Sequence, residues 1–181
     1  GKTSPKIDLA QSFTPGSDNF LNKISLYIKR TAHPNEPSNI GVKIVNNNGD
    51  NLPGSTVYGS ATLDPAVVGT SYGWIDISFN TPPYLYSATQ YWIILDGSQN
   101  SNKYWTIGAD AFDNYAGGTM LYATSYSSGS WTASGNDIDF KTWSGGITTG
   151  ITNATVGGNV AAHNISGVTA GTYTQTVSKT G

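Results

Sequence analysis

Runs of alternating apolar and polar residues, broken by Gly, Pro and Asn, constrain the fold of this chain more than any other feature. In one run, Ile24, Leu26 and Ile28 occupy every second position. Side chains at alternate positions of an extended strand point to the same side, so these residues predict one buried face. The opposite face of that strand would carry Ser25, Tyr27 and Lys29.

Two later runs assign faces in the same way. In residues 74–79 the side chains expected in the core are Ile75, Ile77 and Phe79. The outer face would hold Trp74, Asp76 and Ser78. In residues 137–143, Ile138 and Phe140 are expected in the core. The residues expected to face solvent there are Asp137, Asp139 and Lys141.

Apolar positions with helical spacing are almost absent, whereas β-branched and aromatic runs recur at regular intervals. Strands are predicted at residues 7–13, 20–29, 40–45, 56–63, 72–79, 90–95, 103–107, 119–122 and 137–143. Such a series is typical of an all-β protein, and we expect a jelly-roll-like antiparallel β-sandwich over residues 1–143.

The composition excludes several classes of protein. Charged residues make up 11% of the chain and the net charge is −2, so we expect neither nucleic-acid binding nor binding to anionic lipid. No apolar run is long enough for a transmembrane helix, and no membrane span is predicted. The absence of cysteine excludes disulfides and thiolate metal sites. The 22 glycines and the many Ser, Thr and Asn residues are typical of extracellular β proteins, which predicts a location outside the cell or on its surface.

Catalytic signatures are weak. Residues 69–73 match the hydrolase pattern G-x-S-x-G, but a predicted strand follows the serine, whereas the motif requires a turn into a helix. The two histidines, His33 and His163, lie in no recognisable catalytic context. We therefore predict no enzymatic activity and no cofactor. A structural calcium ion held by some of Asp8, Asp18, Asp137 and Asp139 stays open, because sandwich edges offer carboxylate and carbonyl oxygens.

Aromatic residues make up 12% of the chain and include five tryptophans. Planar rings on an outer sheet face can stack on sugar rings. The candidate binding platform consists of Tyr72, Trp74, Tyr104, Trp105 and Trp131. Trp74, on a predicted outer face, and Trp131, in a Gly/Ser-rich loop, are the hardest to place in a core. Tyr and Trp are also good strand formers, so a structural role is the alternative for each ring.

Residues 144–181 form a Gly/Thr-rich repetitive tail in which apolar side chains recur at short intervals. The candidate assembly positions are Ile151, Val156, Val160, Ile165, Val168, Tyr173 and Val177. This spacing predicts an extended, β-solenoid-like segment. Because it has too little apolar surface to fold alone, we expect it to pair with the sandwich, with itself or with another chain.

Several motifs occur in a fixed order: "AQSFTPGSDNFLNKISLYIKR", "GVKIV", "LPGSTV", "YGWIDISF", "QYWIILDGS" and "DIDFKTW". Over residues 8–143 this pattern resembles the choice-of-anchor β-sandwich domains of bacterial surface and secreted proteins. The resemblance implies extracellular display, a jelly-roll-like fold and no catalysis, and a repetitive segment similar to the start of a β-solenoid often follows such domains.

Two functional hypotheses follow. The first is a structural subunit that assembles with identical copies into a filament or surface array, by adding its tail as a strand to a neighbour's sheet. The second is a carbohydrate-binding or adhesive module that uses exposed Trp and Tyr side chains to hold glycans.

Overall fold

The computed structural model describes residues 8–97, 102–110 and 115–145. The strands are β1 (Asp8–Phe13), β2 (Asn19–Arg30), β3 (Ile40–Asn47), β4 (Pro53–Leu63), β5 (Gly73–Ser78), β6 (Tyr84–Leu85), β7 (Tyr91–Asp96), β8 (Trp105–Ile107), β9 (Met120–Ala123), β10 (Thr132–Ala133) and β11 (Phe140–Ser144). The other regular elements are short 3₁₀ turns at Pro65–Val67 and Tyr126–Ser128. The predicted all-β fold is confirmed.

The strands form two antiparallel sheets. Sheet I has six strands in the order β10-β9-β1-β7-β3-β4. Sheet II has five strands, with β2 between β11 and β5, and with β6 and β8 also paired to β2. Consecutive strands β1 and β2 lie in different sheets, as do β4 and β5, so the chain crosses repeatedly between the two layers. The molecule is an all-β sandwich.

The alternation along β2 correctly predicts the core. Ile24, Leu26 and Ile28 are fully buried in the main hydrophobic cluster, together with Ile77 and Phe79 from the β5 segment. Each buried Leu or Ile contributes about 1.5–3 kcal/mol through removal of its apolar surface from water. The exposed indole of Trp74 lies on the opposite side of β5, as its position in the alternation requires.

A second apolar cluster lies on sheet I, on the side away from the main cluster. It contains Trp92 and Ile94 of β7 and Leu121 of β9 as buried members. Trp92 and Ile94 alternate with Ile93 and Leu95, which belong to the main cluster, so β7 is buried on both faces. Tyr126 and Trp131 pack against this second cluster.

One predicted face is wrong. Asp137 was expected to face solvent, but its side chain is buried and accepts a hydrogen bond of 2.8 Å from Gln11 Nε2. Strand β11 begins only at Phe140, so the alternation of that strand does not apply to Asp137. The two-residue strands β6 and β10 were also not predicted, because pairing with distant residues defines them rather than a local pattern.

Residues 146–181, which include most of the predicted tail, lie outside the described residues. The division of the chain at residues 143 and 144 and the solenoid-like character of the tail therefore stay predictions. Within the described ranges, no helix is long and apolar enough to cross a membrane.

Candidate functional site

The outer face of sheet II brings several exposed rings together. Its central strand β2 pairs with β5 so that Tyr27 lies opposite Trp74 and Ser25 lies opposite Asp76. On the other edge of β2, Lys141 of β11 also pairs with Ser25. Since side chains at paired positions share a face, the register places these residues in adjoining rows on the side of sheet II away from the core.

Three aromatic rings form the centre of this face. The Tyr27 ring stacks on that of Tyr72, with centroids 5.2 Å apart and an interplanar angle of 15°. The centroid of the Trp74 ring lies 5.4 Å from that of the Tyr27 ring, and the two ring planes are inclined by 43°. Trp74 is 45% exposed and Tyr72 is 40% exposed. The sheet therefore presents a connected patch of ring surface to solvent instead of using these rings to fill the core.

Lysine side chains lie over the rings. Lys141 Nζ is 3.9 Å from the centroid of the Trp74 ring, and Lys29 Nζ is 4.5 Å from that of Tyr72. Lys23 Nζ is 4.7 Å from the Trp143 ring. An ammonium over an exposed ring is attracted to its electron-rich face by about 0.5–1 kcal/mol. We call this surface the aromatic–lysine face and define it as Tyr27, Tyr72, Trp74, Trp143, Lys23, Lys29 and Lys141.

Polar contacts fix one end of the aromatic–lysine face. The Asp76 carboxylate accepts hydrogen bonds of 2.5 Å from both Lys23 Nζ and Ser25 Oγ, and Trp143 Nε1 donates to Ser25 Oγ at 2.7 Å. The Lys23 ammonium, with help from the Ser25 hydroxyl, holds the pKa of Asp76 below its ordinary value. Ser25 is buried although it points outward, because these neighbours cover it. The Asp76 charge is thus largely balanced in place.

A groove of about 430 Å³ borders the aromatic–lysine face. Its walls include Trp74, Lys141 and Asp139, and Tyr115 and Phe140 lie beside them. Close approach of the strands shapes this region, since a Cβ added to Gly108 would lie 2.8 Å from Asp139 Oδ2. The groove combines a flat ring, a hydrogen-bond donor and an acceptor, which is the set of groups that sugar hydroxyls and sugar rings contact.

The remaining platform candidates are not part of the aromatic–lysine face. Tyr104 is exposed and its backbone carbonyl accepts from Thr31 N, beyond the end of β2. Trp105 packs partly against the main cluster, and its Nε1 donates to the Ser38 carbonyl at 3.1 Å. Trp131 covers the second cluster on sheet I. The structure therefore brings together Tyr72 and Trp74 of the predicted platform, and gives Trp105 and Trp131 packing contacts.

The aspartates considered for calcium have separate partners. Asp8 accepts from the backbone N–H groups of Gly97 and Tyr126, and burial raises its pKa. Asp18 accepts from Ser87, whose hydroxyl and backbone N–H lower the Asp18 pKa. Within residues 8–97, 102–110 and 115–145, no group of three or more His, Asp or Glu side chains is placed to hold a metal ion. The structural calcium ion stays a prediction.

Sequence reasoning missed part of the aromatic–lysine face. Alternation assigned Tyr27, Lys29 and Lys141 to outer faces. Local sequence does not encode the strand register that brings Tyr27 and Lys141 to Trp74, nor the contact of Lys29 with Tyr72. Trp143 was also overlooked, although it shares the outward alternation of Lys141. The candidate tail positions Ile151, Val156, Val160, Ile165, Val168, Tyr173 and Val177 all lie outside the described residues.

Comparison with known proteins adds no relative: no family model matches the chain, and neither a curated protein nor a solved structure matches it.

Proposed function

We propose that this chain is a non-catalytic carbohydrate-binding or adhesive module that acts outside the cell. The observation that carries the proposal is the aromatic–lysine face, where Tyr27, Tyr72 and Trp74 form connected ring contacts and two of these rings are at least 40% exposed. Exposing an indole to water is unfavourable, so a patch of such rings is a common feature of binding surfaces.

The groove beside Trp74 supports the same proposal. A sugar ring stacked on the indole would have the Lys141 ammonium and the Asp139 carboxylate nearby, since all three groups line the groove. These side chains can donate to and accept from sugar hydroxyls, while the rigid strands β2, β5 and β11 keep the groups in position.

Substitution of Trp74 tests this function. We expect Trp74→Ala to weaken retention on a glycan array or in glycan affinity gels at least tenfold, which corresponds to about 1.4 kcal/mol of binding free energy. Tyr86→Ala is the matched control, because Tyr86 is 57% exposed but is not part of the aromatic–lysine face. If no glycan is retained in a manner that depends on Trp74, the proposed function is wrong.

A second function, assembly with identical subunits, is favoured by the edge of sheet I. Strand β4 spans Pro53–Leu63 without a charged side chain, and among the described residues it forms a ladder with β3 alone. Long uncharged edges readily accept another strand, and most soluble proteins protect them with lysines or bulges. A register shift beside Tyr58 leaves residues 59–63 as the regular part of this edge.

In this second proposal the tail of one copy supplies the added strand, with residues 156–173 as the inserted region. Deleting residues 147–181 would then abolish self-association measured by sedimentation, and Ser60→Lys would weaken it by placing a charge on the edge. The matched control is Ser78→Lys on β5, an exposed serine of sheet II. Unchanged association of the deletion variant would exclude assembly through the tail.

A further inference from the structure

On the aromatic–lysine face, lysine ammonium groups lie directly over exposed aromatic rings. This arrangement bears on whether a neutral or an acidic sugar would bind there. Lys141 and Lys29 lie over the faces of Trp74 and Tyr72. A sugar that stacks on either ring must first displace the ammonium group that covers it. The displaced ammonium stays tethered next to the bound sugar, so its new partner influences the affinity.

The charges on this face differ in how they are paired. Lys23 forms an ion pair with Asp76, whereas the ion pairs within the described residues include neither Lys29 nor Lys141. Asp139 brings a second carboxylate to the border of the face, next to Gly108. The face itself carries three lysines against one aspartate, Asp76, in a chain whose net charge is −2. The adjoining groove is acidic, since Asp110, Asp137 and Asp139 line it together with Lys141, so the positive charge lies over the rings and not in the groove.

We propose that the aromatic–lysine face binds a carboxylated polysaccharide, one built from uronic-acid residues, with sugar rings stacked on Trp74 and Tyr72 and the carboxylates paired with Lys141 and Lys29. This inference rests on the proposed carbohydrate-binding function and specifies its ligand.

The energetics favour an acidic sugar over a neutral one. Displacing an ammonium from an exposed ring costs about 0.5–1 kcal/mol. A charge-assisted hydrogen bond to a ligand carboxylate returns about 1.5–3 kcal/mol, whereas a neutral hydroxyl returns about 0.5–1.5 kcal/mol. A neutral sugar therefore gains little by displacing Lys141, while a uronate gains a net attraction.

Calorimetric titration of the full chain tests the inference. The probes are polygalacturonate, alginate and hyaluronan, each compared with its methyl-esterified form, which keeps the sugar and removes the charge. We expect at least one acid form to bind tenfold or more tightly than its ester. We also expect added salt to reduce this preference, because exposed charges are screened.

Three variants locate the interaction. Lys29→Gln combined with Lys141→Gln should abolish the preference for the acid form, and Trp74→Ala should weaken binding of both forms. Lys43→Gln is the matched control: Lys43 pairs with Asp96 in sheet I, so its removal should leave binding unchanged. Circular dichroism of each variant verifies that the sandwich is folded.

The outcomes separate the two proposals. If acid and ester forms bind equally and both depend on Trp74, the inference about acidic ligands is overturned and the carbohydrate-binding function stands. If no glycan binds, or if binding is insensitive to both Trp74 and the two lysines, both proposals are overturned.

Discussion

The Gln11 side chain joins strand β1 to the segment before β11, at a point where every partner is buried. It lies on β1 at the same alternate positions as Leu9 and Phe13, which pack in the main cluster. Its Nε2 donates to Asp137 Oδ1 at 2.8 Å, and its Oε1 accepts from the backbone N–H of Ile138 at 2.8 Å. Gln11 is fully buried and Asp137 is 2% exposed, so water cannot replace these hydrogen bonds without opening the sandwich.

We expect Gln11→Met to lower the free energy of unfolding by about 3–5 kcal/mol. The Asp137 carboxylate, the Ile138 N–H and the Ser12 carbonyl each lose a buried partner, at about 1–3 kcal/mol for an unsatisfied group and more for a charged one. Methionine has a similar length and volume, so the change removes hydrogen bonds without leaving a large cavity. A domain of this size has a total stability of about 5–15 kcal/mol, so the loss is large enough to measure without preventing folding.

Urea unfolding followed by tryptophan fluorescence measures the effect. With a slope of about 2 kcal/mol per M, the midpoint should fall by about 2 M. Gln90→Met is the matched control, because Gln90 Oε1 is buried without a hydrogen-bond partner and its replacement should change the stability by less than about 1 kcal/mol. The reasoning is refuted if the Gln11 and Gln90 variants lose similar amounts of stability.

The Gln11→Glu variant adds a test with a pH dependence. It would place a second carboxyl against Asp137, and the two cannot both be ionised at this distance in a buried site. The folded variant must then bind a proton that its unfolded chain releases at neutral pH. Its stability relative to the wild type should therefore rise as the pH falls from 7 to 5. A constant difference across this range would show that the two carboxyl groups do not meet.

Three further predictions concern other positions. Gly108→Ala should cost about 1–3 kcal/mol in urea unfolding, because the added Cβ would lie 2.9 Å from the Tyr27 carbonyl oxygen, a backbone atom that cannot easily move. Lys23 lowers the pKa of Asp76 in the folded protein. The stability that this carboxylate adds is therefore fully present above pH 3.8, its ordinary pKa, and is lost as the pH falls through the lower folded-state pKa. Asp76→Asn should make the free energy of unfolding less dependent on pH in that acidic range. Leu26→Ala, at a fully buried position in β2, should cost about 2–5 kcal/mol and lower the melting temperature, and a smaller loss would show that the core collapses around the cavity.

Much of the fold could be predicted because it depends on local pattern. The alternation in β2 assigns Ile24, Leu26 and Ile28 to the core, since any strand with this pattern must bury that face. The same pattern exposes Trp74 on the outside of β5. The two-residue strand β10 could not be predicted in this way, because its pairing with Tyr122 and Leu121 defines it.

The candidate site was only partly predictable. Tyr72 and Trp74 were found from their outward positions, and the structure places both beside Tyr27. Trp131 has an equally conspicuous sequence setting, but it packs against the second cluster of sheet I. Local sequence does not distinguish these cases, because the loop residues that pack on the second cluster, Leu52, Tyr126 and Trp131, reach it only in the folded chain.

The sequence by itself determined the class of fold and the inward or outward side of the residues in β2 and β5, because a period of two residues is a local property of the extended backbone. Only the tertiary structure decided which outward residues meet. Strand register placed Lys141 over Trp74, and the contact between β1 and the segment before β11 buried Asp137. Both outcomes depend on residues far apart in the chain, and their energies arise only when the two sheets are assembled.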